Sequence, residues 1–146
     1  MKSKILLATL LVLIVIQLFP IDKTNPKTNL AGTFETIEQV DSETLTLLKN
    51  ACYNCHSHNT SYPGYTRFQP IGWWTKGHVK GGRQKLNFSL WSTFDQKKKN
   101  HYLEECVEVM EEGRMPLKSY TWMHKESKLD AAQKQNLVAL FKRLQK

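Results

Sequence analysis

Cys52-Tyr53-Asn54-Cys55-His56 constrains this chain more than any other stretch of its 146 residues. Two thiols three positions apart fall on one helical turn. There both can add to the vinyl groups of a single porphyrin and form thioethers. The histidine directly after the second cysteine then sits beneath the ring, with an imidazole nitrogen aimed at iron. The expectation is one covalently attached haem c, held by Cys52 and Cys55, with His56 as the proximal iron ligand.

Two other chemistries use similar spacing. A redox dithiol also reads C-x-x-C, but it belongs beside a βαβ pattern, and no parallel-strand runs appear here. A structural zinc site would want a second pair of ligands at matching spacing, and the third cysteine, Cys106, stands alone. A zinc or thiol module is therefore the weakest of the alternatives.

The N-terminus bears on where such chemistry takes place. Lys2 and Lys4 precede an apolar run from Ile5 to Ile16, interrupted only by Thr9 and continuing to Leu18 and Phe19. Its length fits a signal-peptide core and is short for a membrane span, yet no small-x-small cleavage site follows. Residues 1–20 are read as a signal or an uncleaved membrane anchor, with the anchor preferred. Lysines ahead of the apolar run keep the N-terminus cytoplasmic and send the rest outward. The expected location is the periplasmic side of the bacterial inner membrane, where covalent haem attachment takes place.

The formal charge is +8, and Lys2 and Lys4 supply two of those charges, so the remainder is still basic. A basic body suits an acidic redox partner or anionic lipid headgroups. Nucleic acid is excluded as a partner, because an exported chain with no recognised binding motif offers nothing to read it.

Residues 21–32, polar and interrupted by Pro26, read as a flexible tether. The haem-binding domain then occupies 33–146. Asp41 or Ser42 can cap a helix running to about Cys52, with Leu45, Leu48 and Cys52 on one face. From His58 to Phe88 the chain looks irregular, rich in Gly, Pro and aromatics, with short helical turns at most near Trp73 to Lys80. In that reading Trp73, Trp74 and Trp91 wall the haem. Helical periodicity returns from Phe94 to Glu112, with Leu103, Cys106, Val107 and Met110 on one stripe and Gly113 as the stop. A last helix spans Ala131 to Leu144, capped by Asp130, with Leu137, Leu140, Phe141 and Leu144 inward. No strand survives scrutiny. The fold class is all-α: a small cytochrome c-like helical domain wrapped around one haem, with long loops, an N-terminal anchor or signal helix, and terminal helices packed together.

Haem iron with one histidine ligand has a sixth position. Met115, rigidly placed between the Gly113 stop and Pro116, is the first candidate, because a thioether stabilises ferrous iron as in electron-carrying cytochromes c. His78 and His124 are the alternative distal ligands, and His101 is a weaker rival. His58 lies too close to His56 to reach the opposite face. Arg83 is a candidate partner for a haem propionate.

The middle of the chain resembles a known family. Pro70-Ile71-Gly72-Trp73-Trp74, His78-Val79, Gly82-Arg83 and Leu86-Asn87-Phe88-Ser89-Leu90-Trp91 are similar to the bacterial haem-binding domain family of small exported C-x-x-C-H proteins. Gly113, Met115, Pro116, Tyr120 and His124 match its C-terminal part, so the resemblance covers about Cys52 to Leu144. It departs at Gly81, where an acidic residue is commoner. The resemblance implies haem binding at Cys52, Cys55 and His56, in a domain sometimes joined to cytochrome c or di-haem peroxidase modules, with no reaction common to the class. Single-electron transfer is the expected function, ahead of a haem enzyme or a gas or redox sensor with an open sixth position.

Overall fold

The computed structural model describes all 146 residues and contains helices but no strands. Helix α1 (Lys2–Val15) is apolar and has no buried residue; it runs into a 3-10 turn, Ile16–Leu18. At 14 residues it is about 21 Å long, against a hydrocarbon core of about 30 Å. No helix of the structure is long and apolar enough to cross a membrane.

The stretch expected as a flexible tether is hydrogen-bonded to the body. Lys76 Nζ donates to the Asp22 carbonyl at 2.6 Å, and the Asn25 amide donates to the Thr60 carbonyl at 2.8 Å. The domain then opens with Thr33 and Phe34, both buried, at the start of α2 (Phe34–Ile37). Phe34 meets Phe88, Trp91 and Phe141 in the centre of the molecule.

Asp41 caps α3 (Ser42–Leu48), its carboxylate accepting from the Thr44 N–H. The same rod continues through a π turn, Lys49–Tyr53, and a final turn, α4 (Asn54–His56). The largest departure from expectation comes next. The stretch that looks irregular in sequence contains α5 (Ile71–Lys85), 15 residues long. Four glycines dilute its helical pattern and lower its intrinsic propensity. Two of them are demanded by packing. A Cβ on Gly72 would sit 2.6 Å from the Thr66 carbonyl oxygen, and one on Gly82 would sit 2.7 Å from that of Cys55.

A 3-10 stretch, Phe88–Thr93, leads to α6 (Gln96–Glu111), capped by Asp95, and Gly113 ends this run with φ +69°. A further short helix, α7 (Lys118–Met123), occupies what reads as loop in the sequence. Helix α8 (Ala131–Leu144) starts with a capping box, in which Asp130 and Gln133 satisfy each other's backbone N–H groups.

The main helix pairs are α6 with α8 and α4 with α5; α3 touches α8 only lightly. The last helix thus packs mainly on α6 and not on the helix that leads into the motif. Leu48, Tyr53, Leu86, Phe88, Trp91, Leu103, Val107, Met110, Leu137, Leu140 and Phe141 join Phe34 in one core. Trp91, expected at the haem wall, is fully buried there and donates Nε1–H to Glu38. Cys106 is half-buried at the core's edge, as its place on the α6 stripe suggests.

Candidate haem site

The residues between the two cysteines fix the motif in place. Tyr53 points inward: its ring stacks on Phe88 at 5.2 Å and its hydroxyl donates to Glu35 at 2.8 Å. Asn54 points the other way, donating from Nδ2 to the Tyr120 hydroxyl at 2.6 Å and accepting from the Ser61 N–H at 2.8 Å. With both spacer residues committed, Cys52 and Cys55 are left half-buried with no disulfide between them. The π turn that carries Cys52 belongs to a class often found at functional sites.

Both thiols are held in their neutral form. Burial, reinforced by the neighbouring Cys55, pushes Cys52 up to about 12. Burial also raises Cys55, partly offset by the Arg83 guanidinium. Reactive dithiols show the opposite sign, a lowered thiol pKa. Nowhere does the fold gather three or more His, Cys, Asp or Glu side chains so as to hold a bare metal ion.

His56 Nδ1 lies 3.2 Å from the Leu86 carbonyl oxygen. A carbonyl only accepts, so Nδ1 carries the proton and Nε2 keeps its lone pair for a metal. Burial lowers the His56 pKa, with the carbonyls of Leu86 and Gly82 acting in the opposite sense. The ring is thus held neutral, the form that binds iron. Leu86 follows the end of α5, and α5 can reach this point only because Gly82 lets its backbone touch that of Cys55.

Arg83 lies on the same helix, and its role is visible. Nε donates to the Ser57 carbonyl at 2.7 Å, and Nη2 reaches Thr60 Oγ1 at 2.9 Å and Asn25 Oδ1 at 2.8 Å. It staples the chain leaving the motif to both α5 and residue 25. Ser57 itself donates to the Tyr53 carbonyl at 2.8 Å, and the His58 N–H donates to Ser89 Oγ at 2.9 Å.

The candidate distal ligands fall into different surroundings. Met115 is half-buried on the turn between α6 and α7, its N–H bonded to the Val109 carbonyl. His78 stands on α5, with Nδ1 2.9 Å from the Trp74 carbonyl and its ring against Trp74. His124 has both nitrogens engaged: Nε2 lies 2.8 Å from the Tyr65 hydroxyl and Nδ1 3.3 Å from Glu126, and its ring stacks on Tyr120 at 4.4 Å. Ligation by His124 would break the Tyr65 bond. His101 faces Glu105 on the exposed side of α6. Tyr65, Tyr120 and His124 thus form one cluster beside Asn54, while His56, Gly82, Arg83 and Leu86 form another around the motif.

Ile71, Trp74 and His78 repeat at helical spacing with Gly82, so they share the α5 face that meets Cys55. Ile71 and Trp74 are 46% and 53% exposed, an uncovered apolar strip on the helix that meets the motif at Gly82. Two neutral thiols a turn apart, an imidazole with Nδ1 fixed by a carbonyl, and an open apolar strip fit a porphyrin attached through thioethers. Sequence reasoning finds the motif but not the Leu86 carbonyl, the Gly82 contact or the Asn54–Tyr120 bond. Gly82, Leu86 and Tyr120 enter the sequence reading only as part of a family resemblance.

Comparison with curated proteins and with solved structures gives no match. The pattern of the haem-binding domain matches residues 11–143, from the middle of α1 almost to the end of α8. The resemblance seen in the central segment thus extends over most of the molecule, and the chain belongs to the haem-binding domain family.

Proposed function

We propose that this haem-binding protein is a mono-haem c-type cytochrome that passes single electrons on the periplasmic side of the inner membrane. Cys52 and Cys55 hold the macrocycle, His56 is the proximal ligand and Met115 the distal one. The observation that carries the reading is the His56 Nδ1 contact to the Leu86 carbonyl. It turns a histidine next to two cysteines into an oriented, neutral ligand.

Haem iron supplies a one-electron couple, whose potential is set by the axial ligands, burial and hydrogen bonding. The chain's own residues do the rest. Leu86 holds the imidazole tautomer, Gly82 lets α5 lie against the attachment turn, and Arg83 keeps the segment after His56 from moving away. No side chain at the motif is arranged as a nucleophile with an activating base. The basic surface suits an acidic redox partner.

A second reading is a haem enzyme or sensor with a displaceable sixth ligand. His78 is the alternative distal ligand to Met115: its Nδ1 lies 2.9 Å from the Trp74 carbonyl and it stands at helical spacing with Gly82. Absorption spectra of the full chain, produced with c-type maturation machinery, separate these readings. Low-spin haem with a far-red sulfur-to-iron band, lost in Met115→Leu, supports the electron carrier. Low-spin haem without that band transfers the distal role to histidine. High-spin haem that binds carbon monoxide when reduced supports the enzyme or sensor.

A further inference from the structure

Helix α1 does not swing free of the body. The Gln17 side chain grips residue 69 in both directions: its Nε2 donates to the Gln69 carbonyl at 3.1 Å and its Oε1 accepts from the Gln69 N–H at 2.9 Å. Beside this clasp Trp73 Nε1 donates to the Phe19 carbonyl at 2.9 Å, and Lys76 Nζ donates to the Asp22 carbonyl at 2.6 Å. Four hydrogen bonds therefore tie residues 17–22 to the body, two to residue 69 just ahead of α5 and two to the first turns of that helix. The latter two use the Trp73–Lys76 side of that helix, while Gly82 meets Cys55 on the other.

The surface around this junction is ordered by polarity. Leu6, Leu7, Leu10, Leu11, Leu18 and Phe19 are all more than half exposed. Apolar residues surround α1 on every side, so it lacks the polar face of a helix that lies flat in an interface. Trp73, 41% exposed at the junction, presents an apolar ring with a satisfied N–H, the side chain favoured at headgroup level. Lys23 and Lys27 follow along the segment after α1 and Lys80 along α5, all three exposed and without an ion-pair partner.

We propose that α1 is immersed in an anionic lipid bilayer and that the Gln17–Gln69 clasp holds the body in one orientation on it. Trp73 lies at the interface, and Lys80, with Lys23 and Lys27 on the segment after α1, faces the headgroups. This rests on the membrane location in the proposed function and adds a fixed docking face to it. Its chemistry is that of an aromatic ring and a row of cations against lipid phosphates. The apolar strip of Ile71, Trp74 and His78 lies around the helix from the clasp. The haem side of α5 is thereby kept off the lipid and open to a soluble partner.

The test uses the full-length haem-loaded protein and vesicles of phosphatidylcholine with phosphatidylglycerol. A nitroxide is placed at Gly77→Cys, an exposed position between Trp73 and Lys80 with nothing within 4 Å of a new side chain, or, as the distant control, at Gln135→Cys on α8, each in a Cys106→Ala background. Collision with an aqueous nickel chelate is compared with and without vesicles. The expected result is several-fold protection at position 77 and none at 135. Adding Gln17→Ala should lower the protection while vesicle binding persists; unchanged protection would overturn the role of the clasp. A vesicle-bound protein with positions 77 and 135 equally open would overturn the fixed orientation and leave the anchor standing. Failure to bind vesicles would overturn both the docking face and the membrane part of the proposed function.

Discussion

Gly82→Ala tests the contact on which the haem site is built. The new Cβ would lie 2.7 Å from the Cys55 carbonyl oxygen and 3.1 Å from both the Cys55 carbonyl carbon and Cβ. Two of these atoms are backbone, so no side-chain rotation relieves the clash. The helices must separate by roughly 0.7 Å to restore ordinary contact, an overpacking that costs about 1–3 kcal/mol. Alanine returns about 1 kcal/mol of helix propensity. Gly77→Ala and Gly81→Ala gain that same amount with nothing within 4 Å of the new methyl. Because the propensity gain is common to all three, Gly82→Ala should be less stable than either control by about 1–3 kcal/mol. On a chain of this size that is roughly 3–10 °C in melting temperature. The assay is thermal and urea unfolding of the three haem-loaded variants, followed by circular dichroism. Displacing α5 also lengthens the bond from Leu86 to His56, so the Gly82 variant alone should show an altered haem spectrum. Three variants that shift together, with unchanged spectra, would refute the argument.

Arg83→Lys should destabilise the protein by about 1–2 kcal/mol in urea titration, because an ammonium cannot reach Ser57, Thr60 and Asn25 together. In the haem-free protein, burial holds the His56 pKa below its ordinary 6.5, so the unfolded chain takes up a proton first. Stability is then full above about pH 6.5 and falls as the pH drops below it. His58 is lowered in the same sense, chiefly by burial, so the slope should shrink but survive in His58→Gln; a flat profile in that variant would contradict the role given to His56. Tyr65→Phe and His124→Gln each remove the 2.8 Å bond between those residues and should cost about 1 kcal/mol with the low-spin haem spectrum intact. Conversion to high spin in His124→Gln alone would make His124 the sixth ligand.

The parts of this fold that were legible from the sequence are those whose signal is local. Leu103, Val107 and Met110 on α6, and Leu137, Leu140 and Phe141 on α8, repeat at helical spacing and are buried as that spacing implies. Asp41 and Asp130 cap as their chemistry suggests, and Gly113 takes the left-handed conformation that stops α6. Helix α5 was hidden because packing overrode propensity: glycine at 72 and 82 weakens the helix as a sequence and permits its contact with Thr66 and Cys55. The grip of Gln17 on residue 69 joins positions 52 residues apart, a distance over which no periodicity speaks. The site divides in the same way. Cys52, Cys55 and His56 are adjacent in the chain and declare themselves, whereas the group that orients His56 is a backbone carbonyl 30 residues away, which any amino acid would supply. The proposed sixth ligand was the least legible, because Met115, His78 and His124 each have a sequence argument and the choice among them turns on tertiary placement.

The most direct test of the account is the intact mass of the full chain under denaturing conditions, after production with c-type maturation machinery and treatment with a thiol alkylating agent. Covalent attachment through Cys52 and Cys55 predicts the polypeptide mass plus one haem, with a single alkylation at Cys106. A polypeptide without added haem and with three alkylated cysteines would contradict it.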